Sequence, residues 1–174
     1  MKWKNRLGWV VIAVLITAIS ASARVSTDYD RSIHFSRYKT YSWAKVQTPD
    51  TLWDERVKNA VNNELAAKGW TLVPSGGEVS VAARGAIHNQ EELNTFYDGF
   101  GGRRWGAGMG MSTTTVDNYK VGTLMVEMFD GSNKDMIWHG VASGTLSNNS
   151  DKNIKNLDKN VHKLFEHFPP EAKK

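Results

Sequence analysis

The residue types that most often act as nucleophiles are either absent from this sequence or badly spaced. The chain contains no cysteine, which excludes thiol nucleophiles, thiolate metal ligands, disulfides and a lipidated cysteine anchor. Ser143 lies between Gly140 and Gly144, but this spacing differs from the G-x-S-x-G motif, in which a strand-to-helix turn exposes a serine. We therefore interpret Ser143 as a strand residue, and we predict no catalytic residue and no enzymatic activity.

One group of side chains has a spacing that suits a metal ion. Asp158, His162 and Glu166 repeat every four residues, so on a helix they share one flank and offer oxygen and nitrogen ligands. This flank borders the solvated side of the predicted helix, where neither a cavity nor supporting hydrogen bonds are expected. The remaining histidines match no ligand spacing: His34, His88, His139 and His167. We therefore predict neither a metal site nor a cofactor.

Four lysines form the most regular charged feature of the sequence. They are Lys152, Lys155, Lys159 and Lys163. On a helix they fall within about 80° of arc, opposite an apolar stripe. One interpretation is the solvated side of a helix that packs on a core. The other is a binding surface for anionic envelope material, such as lipid head groups, lipopolysaccharide phosphates or peptidoglycan stems.

A long glycine-rich segment, residues 89–118, offers a second candidate binding feature. Six glycines fall between Gly99 and Gly110, but the phosphate-binding pattern G-x-x-x-x-G-K-[ST] is absent. Arg103, Arg104 and Trp105 would present cations and an aromatic ring to an anionic or sugar-like partner. The alternative is a surface loop that binds nothing. The spacing of apolar residues over 93–100 also predicts one short helical turn.

The first 23 residues have the three parts of a secretory signal. Three basic residues precede an apolar run from Trp9 to Ile19, and Ala21-Ser22-Ala23 forms an A-x-A cleavage site. The run of 11 residues would span only about 17 Å as a helix, against a hydrocarbon core of about 30 Å. We therefore predict cleavage after Ala23 and a periplasmic protein. The alternative is that the signal is not cleaved and anchors the protein in the inner membrane. After cleavage, we expect membrane contact to be peripheral at most.

Charge and composition narrow the classes of partner. The chain has 174 residues, with 22 Lys+Arg against 18 Asp+Glu for a net charge of +4. The signal carries three of those positive charges, which leaves residues 24–174 at +1. A nearly neutral, exported protein is not expected to bind nucleic acid. The whole chain is 40% hydrophobic, and the residues after the signal are numerous enough to bury a core, so we expect one domain over 24–174.

The elements that would position these side chains follow from periodicity. Start and stop signals predict one helix between Asp50 and Lys68, and a second from a Ser150 cap to Phe168. Alternating patterns predict six strands: 24–30, 40–44, 70–73, 79–88, 119–129 and 136–146. We predict an α+β two-layer sandwich, in which a mainly antiparallel sheet carries both helices on one face.

Several separated stretches then support a family resemblance. The stretches are Tyr29-Asp30, Phe35 to Trp43, Ser112 to Thr115, Val121 to Leu124, Phe129-Asp130, Ile137 to Ala142 and Phe168-Pro169. Together they resemble the bacterial family called domain of unknown function 4136. The resemblance implies an exported envelope protein with an α+β domain and no established activity. Many members are lipoproteins, but this chain lacks the lipidated cysteine, which favours a soluble periplasmic form.

These observations predict an envelope protein that binds or scaffolds another component. The partner would be an envelope protein, a lipid or a glycan, bound without catalysis. A different hypothesis is a carrier of a small lipid or other hydrophobic molecule, with a pocket between sheet and helices. Its expected lining is aromatic: Trp43, Trp70, Trp138 and Phe129. The simpler interpretation is that these four residues belong to the core, because alternating aromatic side chains normally face inward.

Overall fold

A computed structural model describes residues 24–97 and 112–170 of the chain, with the side chains of 24–89 and 119–170. The predicted signal over 1–23 lies outside the described residues. So do the candidate binding residues Arg103, Arg104 and Trp105.

Six strands of the described residues form one mixed sheet. They are β1 (Arg24–Tyr29), β2 (Thr40–Gln47), β3 (Thr71–Leu72), β4 (Val79–Tyr97), β5 (Ser112–Asp130) and β6 (Met136–Thr145). Their order is β1-β6-β5-β4-β2-β3. The first four strands in this order pair antiparallel, whereas β2 runs parallel to both β4 and β3. The mainly antiparallel sheet of about six strands is confirmed.

The first helix, α1 (Thr51–Ala67), connects the parallel strands β2 and β3, which a tight turn cannot join. The Asp50 side chain caps it by accepting a hydrogen bond from the backbone N–H of Leu52 at 2.9 Å. Gly69 follows the helix with φ of +82°, a conformation that glycine adopts without strain. The boundaries agree with those predicted from the sequence.

The second helix, α2 (Ser150–Phe165), is capped one residue earlier than predicted. Asn149, not Ser150, accepts a hydrogen bond from the backbone N–H of Lys152, at 2.9 Å. Asn149 has the extended backbone typical of a cap, so Ser150 becomes the first helical residue. The helix ends at Phe165, before the predicted Phe168, whose side chain is nevertheless buried.

Both helices pack on the same face of the sheet, as the two-layer prediction requires. Alternate residues of the central strands point into this layer, including Val81 of β4 and Val126 of β5, both fully buried. Val61 of α1 and Val161 of α2 meet them in one continuous core. Gly140 of β6 lies directly beneath α2, because a Cβ atom there would approach Leu164 Cγ to 2.8 Å.

The central hairpin is longer than the sequence predicted. β4 continues to Tyr97 and β5 begins at Ser112, with Leu93 opposite Val116 in antiparallel register. Much of the expected loop over 89–118 is therefore strand, and the expected helical turn over 93–100 is wrong where the chain is described. Cross-strand pairing is a tertiary feature that the helical spacing of a few apolar residues did not reveal.

Neither described helix has the properties of a membrane span. Within the described residues, neither combines the length and hydropathy needed to cross a bilayer.

Candidate functional site

The four lysines of α2 all lie on its solvent side, and we call this surface the lysine face. It consists of Lys152, Lys155, Lys159 and Lys163, each exposed. The opposite side of the helix is buried through Val161, Leu164 and Phe165, which fixes the helix rotation. Within the described part of the chain, none of the four ammonium groups lies within 4.0 Å of a carboxylate. The lysine face therefore offers four positive charges to solvent from a rigid support.

The helix flank with metal-like spacing has a different role. His162 Nδ1 lies 3.1 Å from Glu64 Oε1 of α1, so this side chain bridges the two helices. Asp158 and Glu166 are exposed. Among the described residues, no three histidine or carboxylate side chains are grouped closely enough to hold a metal ion.

The four aromatic residues of the carrier hypothesis do not surround a common space. The indole of Trp138 stacks on Phe165 with a ring centroid distance of 5.1 Å, and Trp70 meets Phe168 edge-on at 5.3 Å. Both tryptophans are core residues with exposures of 3–4%. Phe129 alternates with buried Met128 and Asp130, so it points to the other face of the sheet. Trp43 lies beside α1, where its indole nitrogen bonds Asn62.

Tertiary structure creates one ionisable cluster that sequence reasoning did not identify as a site. Asp130, at the end of β5, is 5% exposed, and its carboxylate accepts hydrogen bonds of 2.6 Å from both Tyr38 and Arg37. Ser132 donates to the same carboxylate through its backbone N–H, at 2.8 Å, and its hydroxyl. The sequence signals were present, since Tyr38 and Asp130 belong to separate motif stretches and Asp130-Gly-Ser is a typical turn. No pattern within either stretch of sequence indicated that Tyr38 and Asp130 are in contact.

The electrostatics of this cluster suit a structural role better than acid–base chemistry. The hydrogen bonds, foremost that from the Ser132 hydroxyl, lower the pKa of Asp130 far below its usual range. Burial, together with the bond to Asp130, raises the pKa of Tyr38 above its usual value. At neutral pH the carboxylate therefore stays ionised and the phenol stays protonated. A general acid or base requires a pKa near the working pH, so neither group is suited to proton transfer.

A polar cleft of about 550 Å³ surrounds the cluster at this end of the sheet. Its walls include Ser42, Ser80 and Lys134. The other carboxylate of the cleft, Glu78, is also occupied, since it accepts from the backbone N–H groups of Lys39 and Thr40 at 2.7 and 2.9 Å. Both acids thus fasten the loop before β2 to the central hairpin, which explains the polarity of the cleft without a ligand.

Comparison with known proteins places the chain in a family but assigns no activity. The family model described as "Domain of unknown function (DUF4136)" matches residues 25–170. A search of curated proteins finds no match.

Solved structures share the fold at low sequence identity. A PDZ domain protein from Parabacteroides distasonis has a TM-score of 0.58 at 12% identity, covering 87% of this chain. This chain spans only 37% of that protein's length. The PelC dodecamer from Paraburkholderia phytofirmans has a TM-score of 0.51 at 14% identity, covering 88% of this chain and 100% of the PelC chain. Identities this low show a shared fold and nothing about activity.

Proposed function

The chain belongs to the DUF4136 family, and we propose that it is a non-enzymatic module of the bacterial cell envelope that binds anionic lipid head groups through the lysine face. Two features of the sequence support the location: the secretory pattern of residues 1–23 and the family resemblance to exported proteins. The lysine face supports the binding activity.

The observation that carries the proposal is the combination of four free charges with a fixed helix. Lys152 and Lys163 are 11 residues apart, so the lysine face extends about 17 Å along α2. Two aspartates against four lysines leave the helix at +2. Since its apolar side is used in the core, α2 has no apolar stripe to insert into a bilayer. Contact with a membrane would therefore be peripheral and electrostatic.

The expected strength follows from the number of charges. A lysine near an anionic surface contributes about 1 kcal/mol, so four together contribute roughly 4 kcal/mol, equivalent to about a thousand-fold in affinity. Salt weakens such an interaction because the Debye length at physiological ionic strength is only about 8 Å. The lysine face would recognise such a partner by its negative charges and the distances between them, and the protein would need no deep pocket.

The test is co-sedimentation of the exported protein with lipid vesicles. We expect binding to phosphatidylcholine vesicles that contain phosphatidylglycerol, no binding to phosphatidylcholine alone, and release by salt. Changing Lys152, Lys155, Lys159 and Lys163 to Glu should abolish the binding without altering the circular dichroism spectrum.

A matched control reverses four exposed charges elsewhere: Arg31, Lys39, Lys45 and Lys134. The net charge changes equally in both variants, so only position distinguishes them. If both variants lose binding equally, or if neither does, the lysine face is not the binding surface.

A further inference from the structure

An open groove of about 440 Å³ lies between α1 and the β2–β3 edge of the sheet, and none of its lining residues belongs to α2. Trp43 of β2 forms one wall, Asn59 and Asn62 of α1 another, and residues 72–74 close the end at the edge of the sheet. Leu72 in this last stretch is 45% exposed. The groove therefore combines an aromatic ring, two amides and an exposed aliphatic side chain.

Hydrogen bonds hold the two central groups of the groove in place. The indole N–H of Trp43 donates to Asn62 Oδ1 at 2.9 Å, and the Tyr41 hydroxyl donates to the same oxygen at 2.8 Å. An indole nitrogen can only donate, which assigns the amide oxygen to this position. Within the described residues, Asn62 Nδ2 has no acceptor, so its N–H groups are available to a ligand. The ring and the amide are thus ordered before anything binds.

The charges that line the groove cancel each other. Lys58 Nζ lies 2.7 Å from Glu55 Oε1, one turn away on α1, and both residues line the groove. An anionic or cationic ligand would have to compete with this ion pair. Because the charges of Glu55 and Lys58 neutralise each other, the groove favours a ligand that is neutral and polar.

The adjacent sheet edge is poorly suited to an added peptide strand. The N–H of Thr71 in β3 donates to Lys39 O at 2.7 Å, and the N–H of Val73, the residue after β3, donates to Tyr41 O at 2.8 Å. Only the backbone groups of Leu72 point outward, and Pro74 has no N–H to donate. A strand could therefore pair with one residue at most, too few for recognition by β-augmentation.

We propose that this groove is a binding site for a neutral saccharide. A pyranose ring has a face of C–H bonds, which would stack on Trp43, and a rim of hydroxyls, which would bond Asn59 and Asn62. Small-ligand sites typically pair such aromatic surface with a few placed polar groups. The site is separate from the lysine face, and the charge-reversed variant of that face should retain saccharide binding.

The test follows the indole N–H signal of Trp43 by NMR while soluble N-acetylglucosamine oligomers are added to the isotope-labelled protein. Trp43→Phe assigns the signal. We expect a saturable shift of this signal. The affinity of Trp43→Ala, measured from the shift of the Asn62 side-chain amide signal, should be roughly tenfold weaker.

Because Trp43 also packs against the core, a second variant separates binding from folding. Asn59 is exposed on α1, and Asn59→Ala should weaken binding about fivefold with the fold intact. Asn63→Ala changes the same residue type on the same helix outside the groove, so its affinity should equal that of the unmodified protein. Retention on intact peptidoglycan sacculi would identify a wall polymer as the source of the sugar, and oligomer binding alone would identify a free saccharide.

Two results would overturn the proposal. One is the absence of a saturable Trp43 shift with the oligomers together with no retention on the sacculi. The other is equal affinity of Asn59→Ala and Asn63→Ala.

Discussion

At the scale of single residues, Asp130 is a charged side chain that is almost fully buried. It receives bonds from Arg37 and Tyr38, which precede it by more than 90 residues, and from Ser132 in the adjacent turn. This carboxylate ties the loop before β2 to the end of β5. Its ionised form is favoured by folding, since its pKa is lowered in the native protein.

We predict that Asp130→Asn lowers the free energy of unfolding by about 1–3 kcal/mol at neutral pH, because an amide presents a donor to groups that already donate. Urea denaturation measures this difference. Asp158→Asn, at an exposed position of α2, should cost much less. Equal losses in the two variants would show that the Asp130 contacts do not stabilise the fold.

The same residue predicts the direction of a pH dependence. A lowered native pKa means that the stabilisation is fully present above the unfolded-state value of about 3.9 and is lost as pH falls below it. Stability measured between neutral pH and pH values below about 4 should therefore decline more steeply in the unmodified protein than in Asp130→Asn. Parallel declines would contradict this assignment.

At the scale of elements, the close packing of α2 on β6 depends on the absence of a side chain at Gly140. A Cβ atom there would lie 2.7 Å from the Trp138 ring and 2.8 Å from Leu164 Cγ, both in the core. At Gly144, on the same strand, the nearest atom is Asn160 Nδ2 at 3.4 Å. The two glycines thus lie on the same strand, but only Gly144 leaves room for an added Cβ atom.

We predict that Gly140→Ala destabilises the protein by about 1–3 kcal/mol through overpacking. Gly144→Ala should change stability by less than about 0.5 kcal/mol. Thermal unfolding monitored by circular dichroism compares the two. If the order of their melting temperatures is reversed, the described contact between α2 and β6 is incorrect.

The elements also show how far local sequence patterns reach. Both helices and the alternating strands were predictable, because amphipathic periodicity and caps act within a few residues of each other. The extension of β4 to Tyr97 was not predictable, because it depends on antiparallel pairing with β5, a separate segment that begins at Ser112. The parallel pairing of β2 with β4 likewise depends on contacts between distant segments.

At the scale of the whole molecule, the first strand of the sheet begins at the residue that follows the predicted signal cleavage site. Arg24 is the first residue of β1 and pairs with Ser143 of β6. Cleavage after Ala23 would therefore leave β1 intact, whereas a cut farther along the chain would remove a paired residue.

We predict that the protein recovered from the envelope of its own cells begins at Arg24. Expression of the full chain, fractionation of the periplasm and intact-mass spectrometry measure this directly. Recovery of a chain that begins near Met1 in the membrane fraction would instead support the uncleaved anchor. A variant with Ala21 and Ala23 changed to bulky residues should accumulate in that longer form.

The sequence by itself determined the α+β class, the two helices and the solvent side of α2, because each depends on periodicity within one segment. It also supplied the evidence for export and for the family. Only the tertiary structure decided that Tyr38 meets Asp130, that Trp43 and Asn62 share a groove, and that Trp70 and Trp138 fill the core. These outcomes depend on strand register and helix placement, which are set by contacts between residues far apart in the chain and leave no local pattern.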